Sequence, residues 1–177
     1  MITKRIKEKI REYFFENPTR QLRVRQIEKE LQAPLPSAIR YAKELENEGM
    51  LKKSGIAGVT LYSADRSSKK FLLEKKLYNI RILFESGFVD YLIEEYSNPA
   101  IILFGSFSKG EDIETSDIDL YVETSAAKKL LLTKFEEKLG RKIQLFCYNN
   151  IHQIKNKELA NNIINGISLN GFLEVLK

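Results

Sequence analysis

The sequence holds few of the residues that lock a fold from outside its own packing. Among its 177 residues there is one cysteine, Cys147, which excludes an internal disulfide and points to a reducing compartment. The one histidine, His152, follows Asn149-Asn150 at an expected helix start and reads as a surface or capping residue. No apolar run approaches the roughly 20 residues that cross a bilayer. The opening stretch "MITKRIKEKIREYFFENP" interleaves charge with apolar residues and lacks the continuous apolar core of a signal peptide. The chain has no internal repeat and no low-complexity segment. A cytoplasmic protein without a membrane role is the expectation.

What is present is the composition of a globular chain, 43% hydrophobic and 30% charged. That is material for one domain or two small ones. The net charge of +5 is unevenly held. Residues 1–66 carry 14 Lys and Arg against 9 Asp and Glu, while residues 67–177 carry 15 of each. An excess confined to the first third points to a unit that meets a polyanion, with a solvated basic face as the alternative.

Ile6, Ile10, Tyr13 and Phe14 recur at helical spacing, and Asn17-Pro18 ends that helix. Val24, Ile27 and Leu31 share one face of a second helix, Val24 to Leu31. "QAPLPS" breaks the chain, and Pro36 suits the first turn of a third helix over Ser37 to Glu48. Its expected inner stripe is Ile39, Ala42 and Leu45, and Gly49 is its expected stop. "MLKKS", "GIAG" and "VTLYSAD" then read as two short strands joined by a glycine-containing loop. This series resembles a winged helix-turn-helix domain. The resemblance implies that the third helix enters a DNA major groove and the hairpin touches the backbone. On that basis Ser37, Arg40, Tyr41, Lys43, Lys52 and Lys53 are candidate DNA contacts, and Arg20, Arg23 and Arg25 are candidates for phosphates near the second helix. A protein-interaction or dimerisation module is the alternative use of such a unit.

Residues 67–98 read as two packed helices, one carried by Phe71, Leu72, Lys75, Tyr78 and Ile82, the other by Phe88, Leu92 and Tyr96. The expected organisation is therefore 1–66, a connector at 67–98, and a second domain at 99–177.

The second domain carries the chemistry. "AIILF", Ala100–Phe104, is a continuous apolar run suited to a buried strand. Gly105-Ser106 follows at once, and a strand that turns there into a short helix gathers backbone N–H groups where a phosphate can sit. "SDIDLYV" alternates with period two, so Asp117 and Asp119 share one face while Ile118 and Leu120 share the other. Two such carboxylates repel unless a cation lies between them, and hard divalent ions take oxygen ligands of this kind. A lone Asp-x-Asp is more often two solvated side chains, and the preceding Gly-Ser element reverses that preference.

Gly105-Ser106-Phe107-Ser108-Lys109-Gly110 followed by Ser116-Asp117-Ile118-Asp119-Leu120 resembles the minimal members of the DNA polymerase β nucleotidyltransferase superfamily. The whole chain, with its winged helix, resembles a group of archaeal predicted nucleotidyltransferases. The fold class implied is α+β: an N-terminal winged helix-turn-helix, then a small domain with a mixed sheet flanked by helices. The activity implied is transfer of a nucleoside monophosphate from an NTP to an acceptor hydroxyl of nucleic acid or protein, assisted by Mg²⁺ or Mn²⁺. Gly105, Ser106 and Lys109 would bind the triphosphate, and Asp117 and Asp119 would hold the metal. A third family carboxylate is replaced by Gln144 in "GRKIQLFCY", a neutral oxygen donor that cannot act as a base at neutral pH. Glu123 lies beyond the expected strand end, and Glu136 and Glu137 are expected on an exposed helix over Lys128 to Leu139. The closing segment is expected to hold one or two helices ending at Gly166 or Gly171. Expected partners are DNA, an NTP, a toxin-like partner protein as acceptor, and a second copy in a homodimer. The alternative is a DNA-binding regulator whose nucleotidyltransferase domain only senses nucleotide or oligomerises.

Overall fold

The computed structural model describes residues 2–56, 58–126 and 128–176; Ala57 of the expected "GIAG" loop lies outside them. The chain divides into two compact units, Met1–Tyr78 and Asn79–Lys177. No helix among the described residues is long and apolar enough to cross a membrane.

The first unit contains α1 (Ile2–Glu16), β1 (Gln21–Leu22), α2 (Val24–Leu31), α3 (Leu35–Asn47), β2 (Leu51–Ile56), β3 (Val59–Ala64) and the first part of α4 (Lys69–Glu85). Its three strands are antiparallel in the order β1-β3-β2. Ile10 and Phe14 of α1, Ile27 of α2, and Ala38, Ala42 and Leu45 of α3 form its core with Leu22 and Tyr62. Gly49 ends α3 at φ +73, and the next backbone N–H, of Met50, returns to the Leu45 carbonyl at 2.8 Å, the hydrogen bond of a glycine-closed helix end.

Two details of α3 differ from expectation. The helix starts at Leu35, with Pro36 in its first turn. Its inner stripe is Ala38, Tyr41, Ala42 and Leu45, and Ile39 is 50% exposed. Positions 38, 41, 42 and 45 define one face at about 100° per residue, which turns position 39 out of it. Tyr41 is therefore a core residue and not an exposed groove contact, because the helix face that packs on α1 and α2 is the one it occupies.

The second unit takes the rest of α4 and then α5 (Phe88–Glu95), β4 (Ile101–Phe104), α6 (Gly105–Lys109), β5 (Ile118–Glu123), α7 (Thr133–Leu139), β6 (Ile143–Tyr148), a 3-10 turn (Ile151–Gln153), α8 (Lys157–Ile164) and β7 (Ile167–Asn170). Its mixed sheet runs β6-β5-β4-β7, with β5 and β6 parallel and the other pairs antiparallel. One face packs Ile101, Leu103, Ile118, Leu120 and Val122 against Leu83, Phe88, Val89, Leu92 and Phe135 of the helices. The other packs Ile102, Phe104 and Tyr121 against Ile151, Ile154 and Ile163. Both faces of β4 are thus covered, which is why all four of its residues are buried and it reads as an unbroken apolar run.

Three further differences have local causes. Residues 67–98 do not form a separate connector: Phe71 of α4 belongs to the first core and Leu83 to the second, so the boundary at Tyr78/Asn79 falls inside the helix. The closing segment holds one helix, α8, ending just before Gly166 as expected, and then an unexpected strand, β7. Gly166 makes that strand possible, since a Cβ there would meet the Leu103 carbonyl oxygen at 2.6 Å. The helix expected from Lys128 begins at Thr133.

Asn79 is buried and its amide donates to the Phe107 carbonyl at 2.9 Å and to Asp112 Oδ1 at 2.8 Å. Asp112 is also buried and lies 3.8 Å from the Arg141 guanidinium. These contacts fasten α6 and the loop after it. Asn79→Ala leaves a buried carboxylate oxygen and a carbonyl short of a donor, and is expected to lower unfolding free energy by about 1–3 kcal/mol, read from urea denaturation.

Candidate active site

β4 and β5 pair antiparallel so that Phe104 lies opposite Asp119. The chain then has to leave β4 beside that carboxylate. Gly105 does so at φ +72, and a Cβ on it would collide with Asp119 Oδ2. Only glycine meets both demands, the left-handed backbone and the missing side chain. α6 follows. Phe107 and Ser108 are buried, and the Ser108 hydroxyl donates to the Gly105 carbonyl at 2.8 Å. Ser106 is half-buried beside Gly105, and Lys109 is exposed at the end of the helix. Gly110, at φ +73, closes α6.

The entry to β5 is set by a turn. Ser116 Oγ accepts the Ile113 N–H at 2.9 Å, and the Ser116 N–H donates to the Ile113 carbonyl at 3.0 Å. Asp117 is exposed one residue before the strand, and Asp119 is half-buried within it. Ile118 and Leu120 between and after them are fully buried, so the alternation puts both aspartates on the same side. β6 runs parallel to β5 with Gln144 in register with Asp119. Gln144 is exposed.

Burial, and then the charge of Asp117, push the Asp119 carboxyl above the ordinary carboxylate range. The site is therefore under electrostatic tension that a cation relieves. The side chains that could hold one are two carboxylates and one amide carbonyl, all hard oxygens, a set that would fit Mg²⁺ or Mn²⁺ better than a softer metal. Among the described residues no three His, Cys, Asp or Glu side chains gather as a metal cluster.

Of the acidic residues near this site in sequence, Glu136 is engaged and Glu123 is distant, while exposed Glu137 lines the cavity beside Asp117. Glu136 Oε1 accepts the Ile143 N–H at 3.0 Å and Oε2 accepts from Lys142 at 3.1 Å. These bonds hold its carboxyl below the ordinary range. Glu123 is part of β5, not beyond it, and shares the face of Asp119. It accepts a hydrogen bond from the Tyr121 hydroxyl at 3.0 Å and lies four positions along the strand from Asp119, roughly 13 Å. His152 is exposed on the 3-10 turn and Cys147 is exposed on β6, its sulfur 3.9 Å from the Tyr96 hydroxyl. A cavity of about 380 Å³ opens beside Asp117, walled by Thr115, Ser116, Thr133, Glu137, Arg141 and Lys142. Asn79, Asp112 and Arg141, which anchor α6 from behind, were not singled out by the sequence, since an aspartate within "GEDIET" carries no mark of burial.

In the first unit Ser37 is half-buried and Arg40 and Lys43 are exposed on α3, while Lys52 and Lys53 are exposed on β2. Arg40 lies over the Tyr41 ring. Several of these cations have acidic neighbours: Lys53 with Glu46 at 3.1 Å and Arg40 with Glu44 at 3.8 Å. Arg20, Arg23 and Arg25 are exposed, Arg20 lying 3.6 Å from Glu30.

Residues 89–169 match the family model for "Polymerase beta, Nucleotidyltransferase". Two proteins of Methanocaldococcus jannaschii, each named "Putative protein adenylyltransferase", are similar to this chain. One is 36% identical over 67 residues, which is 35% of this chain and 72% of that protein. The other is 40% identical over 68 residues, 34% of this chain and 68% of that protein. No solved structure matches the chain.

The raised Asp119 carboxyl gives a signed prediction. Ionised Asp119 costs stability at neutral pH; the cost begins to fade as pH falls through its raised native-state pKa and is gone below the unfolded-state value of about 3.9. Without divalent ions, Asp119→Asn is expected to melt above the parent protein at pH 7 and level with it near pH 4. Added Mg²⁺ should raise the melting temperature of the parent more than that of the variant, as thermal denaturation would read.

Proposed function

Because this chain belongs to the polymerase β nucleotidyltransferase family, we propose that it transfers a nucleoside monophosphate from an NTP to a hydroxyl group of a partner protein. The observation that carries this reading is the contact of the Gly105 backbone with the Asp119 carboxylate. It brings the Gly-Ser element to the aspartate pair, so a group bound by one is within reach of the other. The protein acceptor, in preference to a nucleic-acid end, is supported by the names of the two relatives.

In this reading the Ser106 hydroxyl and the backbone beside Gly105 hold phosphate oxygens, and exposed Lys109 adds positive charge to the same anion. Asp117 and Asp119 would hold the divalent cation, with the Gln144 carbonyl as a neutral third donor. A bound divalent cation supplies positive charge to the phosphate oxygens. The acceptor oxygen forms a bond to the α-phosphorus, the bond from that phosphorus to the bridging oxygen breaks, and pyrophosphate leaves. The hydroxyl proton passes to solvent, since Gln144 cannot take it. The chain's own contribution is position and charge.

Residues 1–66 act here as a winged helix-turn-helix that binds DNA, a role supported by three helices followed by a hairpin, the net charge of +5 in this stretch and the exposed Arg40, Lys43, Lys52 and Lys53. Gln144 favours a second reading, in which the site binds Mg²⁺ and NTP without turnover and the protein is a nucleotide-sensing regulator.

Incubation with labelled NTP, Mg²⁺ and candidate partner proteins tests the first reading. Label transfer should fall by about 100-fold or more in Asp117→Ala. Gln144→Asp should tighten Mg²⁺-dependent NTP binding about tenfold, the scale of one added charge contact. Calorimetry showing no NTP affinity with or without Mg²⁺ rejects both readings of the site. DNA affinity should fall with salt at a log–log slope of about −3 or steeper if three or more of the exposed cations neutralise phosphates; a flat response rejects the DNA role.

A further inference from the structure

Helix α4 is inverted for a helix that serves one chain alone. Its inner positions are Phe71, Lys75, Asn79 and Leu83, each no more than 1% exposed, so a lysine and an asparagine occupy the buried face. Its outer positions include Leu73, Leu77 and Phe84, at 55%, 54% and 44% exposure, with half-buried Ile80 between them. At about 100° per residue these four fall within a 60° arc. Folding of a single chain does not call for such a stripe, and a contiguous exposed apolar strip marks an interface.

The charges beside the stripe select its occupant. Lys70, Glu74, Arg81 and Glu85 lie along one flank, in the order plus, minus, plus, minus. Read from the other end the order is minus, plus, minus, plus. A second α4 laid antiparallel, with a two-fold axis between Leu77 and Tyr78, sets Lys70 opposite Glu85 and Glu74 opposite Arg81. The same symmetry keeps this flank on one side of the pair. Leu73 then falls between Ile80 and Phe84 of the second copy. In a parallel two-fold pair the flank would fall on opposite sides of the two helices, and these charges would not meet. Within one chain Arg81 lies 3.9 Å from Glu85 and Glu74 lies 3.7 Å from Arg11, exposed ion pairs of the kind that adds little stability. The helix also has no acidic residue in its first turn and no basic residue in its last, so its dipole is not complemented by its own ends. An antiparallel neighbour supplies the opposite pole to each.

We propose that α4 is the interface of a homodimer in which two copies of this chain pack the helix antiparallel about a two-fold axis. Sedimentation equilibrium of the full chain tests it. The parent protein is expected to dimerise at or below about 100 μM. The double variant Leu73→Glu, Leu77→Glu is expected to be monomeric, with unchanged far-UV circular dichroism and unchanged Mg²⁺–NTP binding. Lys70→Glu and Glu85→Lys should each weaken the dimer about tenfold, and the two together should restore it. A parent chain that stays monomeric at that concentration overturns the proposal, as does a dimer that survives the double leucine substitution. Charge reversals that fail to rescue each other overturn the antiparallel arrangement. A monomeric parent that captures a different protein through this stripe also counts against it. Nucleotide binding is read separately, so failure of the dimer and failure of the transferase reading are distinguishable.

Discussion

The second unit depends on a contact in which a backbone must pass where no side chain fits. β4 ends opposite Asp119, and Gly105 turns the chain away in a left-handed conformation against that carboxylate. The sheet register, the start of α6 and the position of the aspartate pair are consequences of one another at this point. The other neighbour of β4 repeats the theme, since Gly166 lies against Ile102 and the Leu103 carbonyl. The central strand of the site is thus bordered on both sides by glycines whose value lies in what they lack.

Around that contact, polar groups divide between holding the scaffold and facing the site. Asn79 and Asp112 are buried and bonded to each other, with Arg141 beside them, and they steady α6 from the side away from the aspartates. Glu136 closes the beginning of β6 through the Ile143 N–H. From α7 it reaches the residue before Gln144, and its carboxylate is spent on that backbone N–H and on Lys142. That local commitment takes Glu136 out of reach as a substitute for a carboxylate at Gln144. The groups facing the site include Asp119, whose carboxyl is raised first by burial and then by the charge of Asp117.

Some of this architecture is legible in short stretches of sequence. α2 spans Val24 to Leu31 as its apolar spacing indicates, α3 stops at Gly49, and the run at Ile101–Phe104 is a fully covered strand. The alternation of Asp117, Ile118, Asp119 and Leu120, and of Ile143, Gln144 and Leu145, orders these side chains on the sheet as a period of two requires. Other features are silent there. Tyr41 and Ile39 differ by two positions on one helix, and the packing on α1 and α2 decides which is buried. β7 is four residues long, too short for its alternation to stand out. In α4 Leu73 and Leu77 face outward while Lys75 and Asn79 face inward, the reverse of what composition suggests.

The sequence by itself determined the local elements, the glycine turns and the pairing of two aspartates on one strand face, because these follow from backbone sterics and residue period over a few neighbours. The tertiary structure alone decided that Gln144 lies in register with Asp119, that Gly105 touches Asp119, that Asn79 meets Asp112 across 33 positions, and that α4 belongs to both units. Each of those depends on partners far apart along the chain, whose meeting is set by how the sheet and helices pack and not by any pattern within reach of a short window.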